Sequence, residues 1–215
     1  MLFALQQQLH KIYGVSSKYD VRDFLVTDPM LARALGQQAL LENADETLLL
    51  AERDVELALS LFLDRGMLER LEAADPLKRL HPELLSDFWK VLEGVSHFNC
   101  VVWKASRHRE FSLLELELQG EIDKYVCACI LAHEQGDVRL AERLHSWLFD
   151  QVSFRADLDS DQLDRYRSAN DYAARFCHRL VSRAVVDDDV LAELRDFYRL
   201  PMTGKISHIH GRAWN

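Results

Sequence analysis

Two short segments carry side chains at a spacing that could do chemistry. Glu93 and His97 lie four residues apart, and so do Glu117 and Glu121. Residues at this spacing share one face of a helix. Carboxylates and imidazoles that project from facing helices are the groups with which helical bundles hold iron, manganese or zinc. The spacing therefore predicts, as one hypothesis, a metal site built from these four side chains.

A polar helix face in contact with water is the competing hypothesis, and the residue pattern favours it. Lys124 follows Glu121 by three residues and can neutralise it on the same face. Glu93 and His97 lie about 100° from the centre of the apolar stripe of their helix, where solvent is the expected neighbour. Metal binding therefore ranks behind a solvated or salt-bridged polar face.

Two further patterns point to ligand sites of lower rank. His208 and His210 form a His-x-His pair near the C-terminus, and in an extended chain both imidazoles lie on one side and can chelate a metal ion. Arg175, Arg179 and Arg183 form a ladder along a predicted helix, which could follow the phosphates of a nucleic acid. The formal net charge of -9 argues against nucleic acid as the main partner.

The sequence contains no motif typical of a nucleophilic or nucleotide-dependent enzyme. It has no Gly-x-Ser-x-Gly elbow, no Gly-x-Gly-x-x-Gly turn and no Gly-x-x-x-x-Gly-Lys loop. We leave the enzyme question open and favour a non-catalytic interaction or regulatory protein, whose partner is another protein or a second copy of the chain. The large side chains of Trp89, Trp103 and Trp147 on predicted helices support this expectation.

Composition indicates that helices must position these side chains. The chain of 215 residues has only 8 Gly and 4 Pro, which favours long helices over a turn-rich all-β fold. We predict a mainly α protein, an antiparallel helical bundle, with one domain over residues 1–200 and a C-terminal tail of coil at 201–215. A sub-boundary, if the domain has one, falls near 75–81, where two prolines interrupt the helical pattern.

The candidate metal ligands are expected on two consecutive helices. Residues 112–115 (SLLE) form a capping-box pattern, in which the Ser112 hydroxyl and the Glu115 carboxylate satisfy free N–H groups at the start of the second helix. Consecutive helices joined by a short loop usually pack antiparallel. This packing could bring the two pairs of candidate ligands together.

One segment departs from helical periodicity. Between residues 55 and 64, valine and leucine alternate with other residues at period 2, and a second apolar run at 48–50 precedes them. We interpret residues 46–64 as a small inserted β-hairpin. A helix remains the alternative, because leucine, alanine and glutamate are strong helix formers and no Asn-Gly turn is present.

Cysteine usage and hydropathy indicate a cytoplasmic protein without a membrane span. Four cysteines lack the C-x-x-C spacing of zinc and redox motifs, and they are expected to be buried thiols in a reducing compartment. No run of 18 uninterrupted apolar residues occurs. The runs EGVSHF (93–98) and LELELQ (114–119) resemble segments of an uncharacterised bacterial protein family. This resemblance covers the middle third of the chain and implies no activity, cofactor or partner.

Overall fold

The computed structural model describes residues 1–36, 44–53, 56–180 and 187–211. The α-helices are α1 (Leu2–Tyr13), α2 (Pro29–Gly36), α3 (Arg65–Ala74), α4 (Leu85–Ala105), α5 (Leu113–Glu134), α6 (Val138–His145), α7 (Ser160–His178), α8 (Asp188–Arg199) and α9 (Met202–Gly211). The strands are β1 (Leu25–Val26), β2 (Glu46–Arg53) and β3 (Glu56–Leu63). These elements confirm a mainly α fold with a small inserted sheet.

The sheet contains the predicted hairpin and one strand that the sequence did not reveal. β2 and β3 are antiparallel, with Glu46 opposite Leu63 and Leu50 opposite Leu59. The period-2 pattern is thus confirmed as a hairpin and the helical alternative is wrong, while residues 54–55 between the two strands lie outside the described residues. β1 pairs with β3 in parallel, so β3 is the central strand. A strand of two residues is too short to carry a hydrophobic period.

α4 and α5 form the antiparallel pair that carries the candidate ligands. Lys104 of α4 lies 2.6 Å from Glu115 of α5, and further back along α4 the Ser96 hydroxyl donates to Asp123 at 2.5 Å. Ser112 caps α5 as predicted, because its hydroxyl accepts from the N–H of Glu115 at 3.2 Å. The prediction that the Glu115 carboxylate completes the capping box is wrong. The Glu115 carboxylate binds the buried ammonium of Lys104, which is a charged partner.

The main apolar core joins the segments on either side of residues 75–81. Met67 and Leu71 of α3 belong to the same buried cluster as Phe88 and Val91 of α4. Burial of such side chains contributes about 1.5–3 kcal/mol each. The sub-boundary near 75–81 stays a prediction.

The sheet approaches α4 most closely at Gly94. A Cβ atom at this position would lie 2.7 Å from Cδ1 of Leu61 and 3.0 Å from Oε1 of Glu46. The absence of a side chain at Gly94 therefore lets the hairpin lie against the helix. As a result, the first residue of β2 reaches the face of α4 that bears Glu93 and His97.

The predicted C-terminal coil is wrong for residues 202–211. This segment forms α9, and it buries Lys205 and Ile209 against the rest of the chain. The sequence pattern concealed the helix because one of its two buried residues is a lysine. No helix among the residues that the structure describes has the length and apolarity needed to cross a membrane.

Candidate metal centre

A cluster of acidic side chains and one histidine lies where β2, α4 and α5 meet. Glu93 and His97 come from one face of α4, as predicted, and Glu46 comes from the start of β2. One ligand atom from each of these three residues lies within 4.8 Å of the other two. Glu117 on α5 approaches the same histidine from the opposite side. The packing thus brings two helices and the sheet to one polar centre.

His97 stands between two carboxylates. Its Nδ1 atom lies 3.9 Å from Oε1 of Glu46, and its Nε2 atom lies 3.8 Å from Oε2 of Glu117. These distances exceed those of direct hydrogen bonds. The imidazole is 7% exposed, and burial lowers its pKa, although the neighbouring Glu93 acts in the opposite direction. A neutral imidazole is the form that binds a metal ion.

The expectation that Glu93 and His97 face solvent is wrong. Its geometric basis was one apolar stripe along the helix, with the polar residues pointing away from it. α4 is instead covered on more than one side, because α5 packs along it and the hairpin rests on it at Gly94. A residue 100° from the main stripe can therefore be buried by a second neighbour.

Lys124 is the internal cation of the centre. Its ammonium lies 2.6 Å from Oε1 of Glu121 and 3.0 Å from Oε2 of Glu93. The expectation that Lys124 neutralises Glu121 is thus confirmed, but the same ammonium also links α5 to α4. Burial opposes its charge, yet the two carboxylates outweigh burial and raise the pKa of Lys124.

Arg165 on α7 supplies the second cation near the centre. Its Nε atom lies 3.9 Å from Oε1 of Glu117. Among the described residues, the ion pairs of the cluster join four carboxyl groups to two permanently cationic side chains. Two carboxylates remain without a full compensating charge when all four are ionised.

Burial and mutual repulsion make full ionisation costly. Burial raises the pKa of Glu117 to about 8, with the charge of Glu93 adding to it. Burial also raises the pKa of Glu46 and of Glu121. Burial opposes ionisation of Glu93 as well, but the ammonium of Lys124 holds the pKa of Glu93 below its usual value. The centre accordingly holds protons at neutral pH unless another cation replaces them.

Several polar atoms of the centre are buried without a hydrogen-bond partner. They are Oε1 of Glu46, Nε2 of His97, Oε2 of Glu121 and Nε of Arg165. Buried polar atoms are normally paired, and each unpaired one calls for an explanation. For Oε1 of Glu46, a cation shared with Nδ1 of His97 would provide the missing contact.

The geometry of three residues fits a transition-metal ion after a small contraction. Ligand bonds of 2.0–2.2 Å place two ligand atoms at most about 4.4 Å apart. The present spread of up to 4.8 Å among Glu46, Glu93 and His97 therefore needs side-chain shifts of less than about 1 Å. Carboxylate oxygen and imidazole nitrogen suit manganese, iron and zinc.

Two of the four predicted ligands belong to this triad, and two do not. Glu93 and His97 are in it, Glu117 lies on the far side of the imidazole, and Glu121 is held by Lys124. Sequence reasoning missed Glu46. Its only signal was its position as the first residue of the predicted hairpin, and no spacing rule connects it to α4.

A second buried polar network lies beside the centre and was not predicted. The Asp123 carboxylate accepts hydrogen bonds from the hydroxyls of Tyr13 and Ser96 and from the side-chain amide of Gln119. Lys205 of α9 donates to Oε1 of Gln119 at 3.2 Å. Burial raises the pKa of Asp123 to about 6. These groups satisfy one another, so the network has a structural explanation.

The geometry assumed for the C-terminal histidine pair is wrong. His208 and His210 lie on α9, where residues two apart point about 200° away from each other. Nε2 of His208 lies 3.3 Å from Oε1 of Glu193, and His210 meets the ring of Tyr172 edge-on at 6.0 Å. The two imidazoles therefore do not face a common point.

The arginine ladder is only partly covered by the described residues. Arg175 is exposed in the last turn of α7, which ends at His178. Arg179 follows as the C-terminal cap, and its guanidinium lies 3.5 Å from Glu193. Arg183 lies outside the described residues. Binding of nucleic acid by these arginines stays a prediction.

Comparison with known proteins supplies no relative from which a function could be transferred. No protein-family model matches the chain, and no curated protein or solved structure matches it either.

Proposed function

We propose that the protein binds a divalent transition-metal ion through Glu46, Glu93 and His97. The observation that carries the proposal is their convergence within 4.8 Å, with the buried and unpartnered Oε1 of Glu46 lying 3.9 Å from Nδ1 of His97. A histidine buried beside carboxylates at more than hydrogen-bond distance leaves space for a shared cation. Metal binding therefore ranks above the solvated or salt-bridged polar face favoured by the sequence pattern.

The balance of charge supports a divalent ion. The four carboxyl groups of Glu46, Glu93, Glu117 and Glu121 outnumber the two neighbouring cations by two. An ion of charge +2 would allow all four to ionise. Without it, the excess charge must be removed by protonation, in agreement with the raised pKa values of Glu46 and Glu117.

The ligand set points to manganese, iron or zinc. One imidazole and two carboxylates combine borderline and hard donors, which suits these ions better than calcium, whose sites are built from oxygen alone. The four cysteines are buried free thiols. They support the proposal of a reducing, cytoplasmic setting.

Metal analysis of tag-free protein tests the function. The protein is dialysed against manganese, anaerobic ferrous iron or zinc, and bound metal is measured by mass spectrometry. We expect close to one ion per chain, and at least tenfold weaker binding for Glu46→Gln and for His97→Gln. Glu134→Gln and His133→Gln are the matched controls, because both residues are exposed on α5 and should leave binding unchanged. A wild-type protein that retains none of the three metals overturns the proposal.

An interaction or regulatory role stays a prediction, and so does a protein partner or a homo-oligomer. The tryptophans that motivated it are engaged within the chain. Trp103 is buried, and Trp89 and Trp147 pack against the main core. A metal-dependent interaction would be compatible with both proposals.

A further inference from the structure

The ammonium of Lys124 occupies a position at which carboxylates converge. It lies 3.0 Å from Glu93 and 2.6 Å from Glu121, and Lys124 as a whole is 7% exposed. Oε2 of Glu121 is buried beside it without a hydrogen-bond partner. The contacts are those of a small cation held between two carboxylates.

Glu93 contacts both the proposed metal position and the ammonium of Lys124. It offers one ligand atom to the triad with Glu46 and His97, and its Oε2 atom contacts Lys124. In carboxylate-rich bundles that hold two metal ions, glutamates from facing helices surround the pair, and paired ions in two-metal sites lie about 3.5–4 Å apart. Here the same kind of glutamate joins the proposed metal position to an ammonium.

The balance of charge in the centre also favours a single divalent ion. With Lys124 and Arg165 present, the four carboxylates leave an excess of two negative charges, which one divalent ion balances. A second divalent ion would leave the buried centre with a net charge of +2, against +1 if residue 124 carried no charge. Burial of uncompensated charge is strongly unfavourable.

We propose that the ammonium of Lys124 stands in the place of a second metal ion and thereby restricts the centre to one. This inference rests on the proposed metal-binding function. It predicts that removal of the ammonium converts a one-ion centre into a two-ion centre, with Glu93 and Glu121 as ligands of the new ion.

Lys124→Met is the direct test, because methionine keeps most of the aliphatic stem but has no atom at the place of Nζ. Purified protein is titrated with Mn²⁺, and bound manganese is counted by equilibrium dialysis and native mass spectrometry. We expect one Mn²⁺ for the wild type and two for Lys124→Met. Electron paramagnetic resonance of the variant should show two coupled Mn²⁺ ions, whereas the wild type should show an isolated ion.

Two controls separate the role of this ammonium from a general loss of positive charge. Lys90→Met removes an α4 lysine that pairs with Asp45 at 2.6 Å near the surface, and it should still bind one ion. The double variant Lys124→Met/Glu121→Gln removes one positive and one negative charge together, and it should also bind one ion.

The inference can still be tested if Lys124→Met fails to fold without metal. Lys124→Gln provides a second neutral variant, with an amide that can donate to Glu121, and it should likewise bind two ions. If either variant unfolds without metal, excess Mn²⁺ should restore the fold with two ions bound, because the ions supply the missing charge. Variants that bind one ion, or that stay unfolded in excess Mn²⁺, overturn the inference while metal binding by the wild type stands. A wild type that binds no metal overturns the proposed function itself.

Discussion

Gly120 of α5 lies directly against the imidazole of His97 on α4. A Cβ atom at Gly120 would be 3.1 Å from Nε2 of His97 and 3.4 Å from Cγ of Glu93. Glycine in the interior of a helix is about 1 kcal/mol less favourable than alanine. Gly120 therefore lowers the stability of α5 by about 1 kcal/mol at the position where this helix passes over Glu93 and His97.

The substitution Gly120→Ala should separate stability from metal binding. The methyl group must displace the imidazole by a few tenths of an ångström, while alanine favours the helix. We expect the free energy of unfolding to change by less than about 1 kcal/mol. The affinity for Mn²⁺ should fall at least tenfold in the same protein, because the methyl group restricts the imidazole, which must shift when the ligands close on the ion. Gly211→Ala, where a Cβ atom meets nothing within 4 Å, is the control. Unchanged affinity in Gly120→Ala would argue against His97 as a ligand.

The substitution Gly94→Ala should instead lower stability. Its methyl group would lie 2.7 Å from the buried Leu61 and 3.0 Å from Glu46, so the hairpin must shift away from α4. Overpacking of this kind typically costs about 1–3 kcal/mol. Urea unfolding measures the loss, and Gly211→Ala again serves as the control. Equal stability of the two variants would show that the hairpin does not rest on Gly94.

The sequence predicted elements more successfully than it predicted their contacts. The period-2 run gave the hairpin, and Ser112 gave the start of α5, because both signals are local. The burial of Glu93 and His97 depends on a hairpin that docks about 40 residues away in sequence, and helical periodicity contains no such information.

Charged residues that are buried were the other reason why the sequence-based predictions failed. Lys205 is almost completely buried in α9, so the hydrophobic pattern of that helix is incomplete. Glu46 reaches the candidate metal centre from a strand end, and nothing in the neighbouring sequence distinguishes it from Asp45. Both cases depend on tertiary contacts, which give Lys205 its hydrogen-bond acceptors and bring Glu46 beside His97.

Glu117 should make the stability of the metal-free protein depend on pH. Its carboxyl group holds a proton more tightly in the folded chain, since burial raises its pKa from 4.5 to about 8. The associated stability is fully present below pH 4.5 and is lost as pH rises through about 8. Glutamine imitates the protonated form, so Glu117→Gln should match the wild type near pH 5. At pH 8 it should exceed the wild type by at least about 1 kcal/mol, or 2–4 °C in melting temperature. Thermal melts in chelator measure both values, and a constant difference across this range would contradict the prediction.

The ion pair between Lys104 and Glu115 should behave as a coupled unit. The ammonium and the carboxylate are 2.6 Å apart, and both side chains are nearly inaccessible to solvent. Lys104→Met leaves a buried charge unpaired and should cost about 3–5 kcal/mol, whereas Lys104→Met/Glu115→Leu should lie within about 1–2 kcal/mol of the wild type. A double-mutant cycle by urea unfolding measures the coupling. Additive effects of the two single substitutions would mean that the pair is not coupled.

The stability contributed by Lys205 should depend on pH in the opposite sense to that of Glu117. Burial disfavours the charged form of both side chains, but the protonated form is charged in lysine and neutral in a carboxyl group. Its ammonium donates to Gln119 at 3.2 Å and to the carbonyl of Phe197 at 3.0 Å, without a carboxylate at hydrogen-bond distance among the described residues. Burial lowers its pKa from 10.5 to about 8. A lowered pKa in the folded state contributes stability that is fully present above pH 10.5 and is lost as pH falls through about 8.

The wild type should therefore gain stability relative to Lys205→Met as pH rises from 7 to 10. The expected gain is about 2–3 kcal/mol, because each unit of pKa shift corresponds to about 1.4 kcal/mol. Comparing the two proteins by urea unfolding cancels the tyrosines, cysteines and other lysines that titrate in both. Lys11→Met replaces an exposed lysine of α1, and its free energy of unfolding should change with pH as that of the wild type does. If the free energy of unfolding of Lys205→Met changes with pH as that of the wild type does, the ammonium of Lys205 is not desolvated in the folded protein. In that case the apolar contacts of Ile209 anchor α9.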